Sequence, residues 1–182
     1  MSDSEEFGTF AISLVEKPAI EKEWIALKDN TVKLQSIDKD RRMVYGVALI
    51  PNKPIYRVRP DGEEYYIKFS KEVVEHTAHR FIEQNKQHNA TLEHSSDIDG
   101  VVFVESWLKE GDNDKSVHLG IETPIGSWIV GAKISNDELW GKIKGGEVKG
   151  FSIEGLYSEV LTDDIILSQM VKELEALAKE LV

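Results

Sequence analysis

Gly150-Phe-Ser-Ile-Glu-Gly155 decides how this chain is read. Apolar Phe151 and Ile153 alternate with polar Ser152 and Glu154. A period of two belongs to a strand, with Ser152 and Glu154 on one face and the apolar pair on the other. The flanking glycines permit close backbone approach and suit a serine in a tight site, with backbone amides to receive an oxyanion. The spacing is not Gly-x-Ser-x-Gly, and a hydrolase elbow sits on a strand-to-helix turn, so the segment does not read as that elbow.

Working outward, strand signals dominate. Phe10-Ala-Ile-Ser-Leu-Val15, Met43 to Ile50, Val101 to Leu108 and Ser127 to Ile134 are rich in β-branched and aromatic residues. Ile55–Arg59 and Glu64–Phe69 flank Pro60-Asp-Gly62 and predict a β-hairpin. Ala90 to His94 is a short strand, followed by a polar turn over 95–100. Ser70 caps a helix over about 71–86, with Val73, Val74, Thr77, Ala78, Phe81 and Ile82 on one face. Ser135-Asn-Asp-Glu138 is a capping box for a short helix stopped by Gly145-Gly146, with Leu139, Trp140 and Ile143 inward. Leu167, Met170, Leu174, Leu177 and Leu181 repeat at 3,4,3,4 along a last helix. The sum is a strand-rich α+β domain with three helices.

The 182 residues suit a single domain. There is no cysteine, which excludes disulfides, thiolate metal sites and a cysteine nucleophile. Net charge is −11, and the one basic cluster, Lys39-Asp-Arg-Arg42, is diluted by acids, so nucleic acid is not the expected partner. No apolar run approaches the ~20 residues of a membrane span. The acidic start lacks a signal peptide's basic and apolar regions, and the expectation is a cytoplasmic protein.

Without cysteine, a nucleophile falls to serine or threonine and a general base to histidine. His94 follows Leu92 at a strand end, where a rigid sheet presents side chains. Ser152 lies in the segment quoted above. From residue type alone the plainer readings are a turn histidine bonding local backbone and a polar residue on an exposed sheet face. Glu72, His76 and His79 share the polar face of the first long helix and offer a metal alternative, against two solvated surface histidines. His88 lies at the helix exit, and His118 has no evident partner.

Seven segments change the balance. Phe10-Ala-Ile-Ser-Leu-Val-Glu-Lys-Pro-Ala-Ile20, Ile50-Pro-Asn-Lys-Pro-Ile-Tyr56, Tyr66-Ile-Lys-Phe-Ser70, Thr91-Leu-Glu-His94, Val104-Glu-Ser-Trp107, Gly126-Ser-Trp128 and Glu147-Val-Lys-Gly-Phe-Ser-Ile-Glu-Gly155 resemble, in order, the XkdF-like phage serine proteases. These are prohead maturation proteases, similar in fold to herpesvirus assemblin. The resemblance implies an α+β fold with a β-barrel-like antiparallel or mixed sheet core, packed helices and a Ser–His centre. It puts the nucleophile on Ser152 and the base on His94. In the broader family a Ser-Leu-Val…Pro-Ala strand follows the nucleophile strand; here Ser13-Leu-Val15 and Pro18-Ala19 come first, which looks like a circular permutation. Relatives carry an acid two residues before that serine, where this chain has Ala11. The third triad member is therefore sought elsewhere. Glu154 is the first candidate, because it shares a strand face with Ser152, and Glu105 the second. A third histidine would be His76, His79, His88 or His118, and a dyad is the remaining option.

These readings predict a tail over residues 1–7 that is disordered, a protease domain over 8–161 and an amphipathic helix over 162–182, a surface for self-association. The expected activity is that of a serine endopeptidase acting in the host cytoplasm inside the assembling prohead. Its substrates would be the scaffolding protein, the major capsid protein and the protease itself. No cofactor, metal, nucleic acid or membrane is implied. The alternative is a non-catalytic capsid- or scaffold-binding module of the same fold.

Overall fold

A computed structural model describes residues 8–16, 36–38, 41–58, 62 and 64–157. In chain order the elements are β1 (Gly8–Val15), β2 (Ser36–Asp38), β3 (Met43–Leu49), β4 (Ile55–Val58), β5 (Glu64–Ile67), α1 (Lys71–Glu83), β6 (Ala90–Leu92), β7 (Ser96–Asp97), β8 (Val101–Leu108), α2 (Lys115–His118), β9 (Trp128–Ile134), α3 (Asp137–Gly145) and β10 (Gly150–Leu156).

Two four-stranded sheets form the frame. One has the order β10-β1-β6-β7, the other β2-β3-β9-β8, and β4 pairs with β5 as the expected hairpin. In the first sheet β1 runs antiparallel to β10 and parallel to β6. The second sheet is antiparallel throughout. The strand Phe10–Val15 thus lies directly beside the strand of Ser152, although about 140 residues separate them in sequence, a distance that long loops bridge at modest entropic cost.

The core fills the space between these sheets and α1. Ile12, Leu14, Ala90 and Phe151 come from the first sheet, Val44, Phe103, Trp128 and Val130 from the second, and Val74, Ala78 and Phe81 from α1. Phe81 meets Trp128 and Phe103 edge-on at centroid distances of 5.4 and 5.9 Å, and Phe103 meets Phe151 at 5.8 Å. Such pairs add about 0.5–1.5 kcal/mol each beyond their burial. A second cluster of Met43, Tyr45, Val47, Ile50, Ile121 and Ile129 covers the other face of β3 and β9. That is why these strands are apolar on both faces.

Ser70 caps α1 as expected, its Oγ accepting from the Val73 amide at 3.3 Å. Val74, Thr77, Ala78 and Phe81 are buried, while Val73 and Ile82, at the margins of the stripe, are exposed. α3 starts one residue later than the capping box predicts. Asn136 Oδ1 accepts from the Leu139 amide at 2.9 Å, because Ser135 Oγ is turned instead toward the Gly100 carbonyl at 3.2 Å. Gly146, at φ +76°, stops α3. Two short elements were not predicted: β7, inside the polar turn over 95–100, and α2, capped by Asp114.

The expected barrel does not close among the described residues. β10 packs against β3 without joining it in a ladder, and the opposite edge ends in the two exposed residues of β7. A barrel needs each edge strand to find a hydrogen-bonded partner. Among the described residues the fold is a mixed α/β arrangement of separate sheets with three helices, α1, α2 and α3. The predicted tail over 1–7 and the predicted helix over 162–182 lie outside the described residues. Among the described residues no helix is long and apolar enough to cross a membrane.

Candidate active site

β1, the strand between β10 and β6, organises the polar face of the first sheet. Its Ser13 stands opposite Ser152 on β10 and opposite Thr91 on β6. Directly paired residues point to the same face, so Thr91, Ser13 and Ser152 make one row across three strands. The alternate residues Ile12, Leu14 and Phe151 point into the core and are at most 1% exposed. Phe151 anchors the strand from below while Ser152, 7% exposed, is buried on the opposite face.

Two residues along β10, Glu154 shares that face. Its register partner on β1 is Ala11. The small alanine side chain leaves room for Glu154 to reach over β1, where its Oε1 accepts a hydrogen bond from Thr91 Oγ1. The same oxygen lies 3.1 Å from His94 Nδ1. Glu154 is thus fixed by a buried threonine on one side and an imidazole on the other. Its side chain is 18% exposed against 40% for His94, so the imidazole opens to solvent over a shielded carboxylate.

The strand expected to run to His94 stops at Leu92, so His94 lies in the turn two residues beyond the end of β6. Glu93 and His94 have φ of +51° and +54°, the one consecutive pair of left-handed non-glycine residues among the described residues. Such conformations cost on the order of 1–3 kcal/mol each and persist where surroundings over-determine them. Here the Glu93 amide donates to the Leu14 carbonyl at 3.1 Å, the His94 amide donates to Ser13 Oγ at 3.0 Å, and Ser95 closes the turn onto the Leu92 carbonyl through its amide (3.1 Å) and hydroxyl (3.0 Å). The Glu93 carboxylate also accepts from the Glu16 amide. Ser152 and His94 share no hydrogen bond among the described residues; catalytic pairs in free enzymes often sit looser than in their complexes.

The glycine after this face has a steric reason. A Cβ on Gly155 would run into the Gly8 carbonyl oxygen. Just beyond it, Tyr157 bonds Thr9 and stacks edge-on against Phe69 at 4.8 Å, which clasps the ends of β10 and β1 together. Burial pushes the Tyr157 phenol up, with Thr9 and Thr77 pulling the other way.

The other candidates lie apart. Glu105 sits on β8 in the second sheet, where it accepts from Tyr45 Oη at 2.9 Å and pairs with Lys115. Burial raises its carboxyl, but the Lys115 and Tyr45 hydrogen bonds outweigh that and hold it below the usual range. Lys115 in turn lies over the Tyr45 and Trp107 rings, so this cluster ties α2 to its sheet. His76 and His79 are exposed on α1, and Glu72 is used at the helix start, its carboxyl lowered by its own backbone amide and by Ser70. Among the described residues no group of three His, Cys, Asp or Glu could hold a metal ion. His88 is in a 3₁₀ turn before β6, and His118 ends α2.

Sequence reasoning gave Ser13 and Thr91 no role of their own. The available signal was a lone serine in the otherwise apolar run Phe10-Ala-Ile-Ser-Leu-Val15; a buried hydroxyl in such a run needs a partner.

Neither a curated protein nor a solved structure shows a significant match to the chain. Residues 31–161 match the family described as "Putative phage serine protease XkdF". That span takes in most of the chain and carries His94, Ser152 and Glu154, and the chain belongs to this family of phage serine proteases.

Proposed function

We propose that the chain is a serine endopeptidase of phage prohead maturation, with Ser152 as nucleophile, His94 as general base and Glu154 as the acid that orients it. The observation that carries this reading is the 3.1 Å approach of His94 Nδ1 to Glu154 Oε1, two residues along the strand face from Ser152. Relatives carry their acid on the strand equivalent to β1, at the position of Ala11. Glu154 is the cross-strand partner of Ala11, so a carboxylate returns to nearly the same place from the neighbouring strand. The permuted order of β1 and β10 fits that correspondence, because permutation keeps spatial neighbours while changing sequence order.

In this reading Glu154 holds the proton of His94 on Nδ1 and leaves Nε2 free. Ser152 Oγ attacks the scissile carbonyl carbon as its proton passes to Nε2. The tetrahedral intermediate expels the amine, which takes that proton as the C–N bond breaks. Water, deprotonated by the same nitrogen, then attacks the acyl carbon, and that proton passes to Ser152 Oγ as its bond to the acyl group breaks. Glu154 stabilises the imidazolium in both halves. The substrates are the scaffolding and major capsid proteins, met inside the assembling prohead in the host cytoplasm, and the segment over 162–182 supplies self-association.

The test is incubation with the cognate scaffold and capsid proteins, wild type beside Ser152→Ala, read by mass spectrometry. Defined cuts made by wild type and absent with the variant are expected. Binding without cleavage by wild type would instead identify a non-catalytic capsid module.

A further inference from the structure

The turn that carries His94 is fastened to β1, and one contact does more than hold the turn. We infer that Ser13 is a positioning residue for the catalytic histidine: its hydroxyl accepts the His94 backbone amide while its own backbone is paired opposite Ser152. This rests on the reading of Ser152 and His94 as nucleophile and base.

Three observations carry it. Ser13 is fully buried, and its Oγ lies 3.0 Å from the His94 nitrogen. A buried hydroxyl in an apolar strand is unfavourable without a partner, and a left-handed residue turns its amide away from the strand ladder. Each group satisfies the other. Second, the Glu93 amide on the Leu14 carbonyl and the Glu93 carboxylate on the Glu16 amide hold the residue before His94, and the Ser95 amide and hydroxyl on the Leu92 carbonyl close the turn around it, but none of these bonds reaches the His94 amide. Without the Ser13 acceptor the His94 amide loses its partner, the strained φ of +54° is held only by the closure of the turn at Ser95, and the imidazole is less firmly placed against Glu154. Third, Ser13 is the register partner of Ser152, so a single residue sets the separation of base and nucleophile. Ser13 also lies outside residues 31–161, the span matched to the family. The part that aligns the site therefore comes from a strand beyond that span.

Ser13 acts through a backbone amide, touches no substrate and has no titrating role. Its loss should slow the chemical step and leave substrate binding alone. The probe is a fluorophosphonate, which Ser152 Oγ attacks at phosphorus: a P–O bond forms, fluoride leaves and His94 receives the hydroxyl proton. Labelling is located by peptide mass spectrometry and followed as a function of probe concentration on the full chain. Ser13→Ala is expected to lower the limiting rate at Ser152 at least tenfold with the half-saturating concentration unchanged. Ser13→Cys, which keeps the shape and weakens the acceptor, should fall between. Ser95→Ala removes a turn hydrogen bond that does not reach the His94 amide, and should label near the wild-type rate.

Amide hydrogen exchange reads the bond without activity. The His94 amide should be protected in wild type and exchange at least tenfold faster in Ser13→Ala, while the Glu93 amide stays protected. Wild-type labelling at Ser152 together with an unaltered rate in Ser13→Ala overturns this inference alone. So does an unprotected His94 amide in wild type, which requires no variant to fold. Equal slowing in Ser95→Ala also overturns it, by showing general loosening of the turn. A wild-type chain that takes no label at Ser152 overturns the reading of the site, and this inference with it.

Discussion

Glu154→Gln separates charge from shape at the candidate site. The amide keeps the size of the side chain and still offers an oxygen to Thr91. It removes the negative charge 3.1 Å from His94 Nδ1. At that separation two unit charges interact by about 5 kcal/mol at an effective dielectric of ~20 and by about 1.3 kcal/mol in bulk water. His94 is 40% exposed and Glu154 18%, so neither limit applies and salt screens part of the attraction. A value of about 2–4 kcal/mol in stabilising the imidazolium follows, which is a rate loss of roughly 30- to 1,000-fold. A fully buried triad aspartate is worth about 10⁴-fold when amidated, and the exposure of this pair puts it below that figure. The assay is the limiting rate of cleavage or fluorophosphonate labelling for wild type, Glu154→Gln and Glu105→Gln. Glu105, held by Tyr45 and Lys115 in the other sheet, should be close to neutral for catalysis. A Glu154→Gln rate within threefold of wild type, or an equal loss in Glu105→Gln, would refute the reasoning and point to a dyad or another orienting group.

Ser152→Ala should abolish cleavage, a loss on the order of 10⁶-fold, with thermal unfolding nearly unchanged because only one hydroxyl is removed; more than a few per cent residual activity excludes Ser152 as nucleophile. Activity should rise with pH in wild type, because the base acts as neutral imidazole, and vanish in His94→Ala; EDTA should leave wild type unaffected, and chelator inhibition reversed by zinc would move the site to Glu72, His76 and His79. Glu105→Gln should lower the unfolding free energy by about 1 kcal/mol at pH 7, the worth of its hydrogen bonds. Its folded carboxyl is held below the unfolded value of 4.5, so that contribution is complete above about pH 4.5 and disappears as pH falls through the lowered folded value. Denaturant titrations at pH 7 and below 4.5 should show the variant gap closing, and a gap that widens in acid contradicts the cluster.

The local signals were legible where neighbouring residues settle the outcome. Ser70 and the α1 stripe, Gly146 behind α3, the hairpin of β4 and β5, and the two-residue period of β10 all depend on capping, turn chemistry and burial within a few positions. The capping box failed by one residue because Ser135 was claimed by the Gly100 carbonyl, 35 positions away in sequence. α2 escaped notice because four residues carry no periodicity, and its Lys115 is held by rings and a carboxylate from the second sheet.

The same division runs through the candidate site. Sequence by itself determined that Ser152 and Glu154 share a strand face, because alternation is a property of the extended backbone. It also put His94 near a strand end, and, through the family resemblance, singled it out with Ser152. Sequence ranked Glu154 above Glu105 because it shares a strand face with Ser152, but nothing in the chain order brought either carboxylate to the imidazole. Tertiary structure decided that by pairing β10 with β1 and β1 with β6, which lays Ala11 under Glu154 and lets the carboxylate cross to Thr91 and His94, while Glu105 went to a different sheet. It also recruited Ser13 to the His94 amide. Register between strands 140 residues apart depends on the summed burial of both faces and on the turns that deliver them, and no short window of sequence contains that sum.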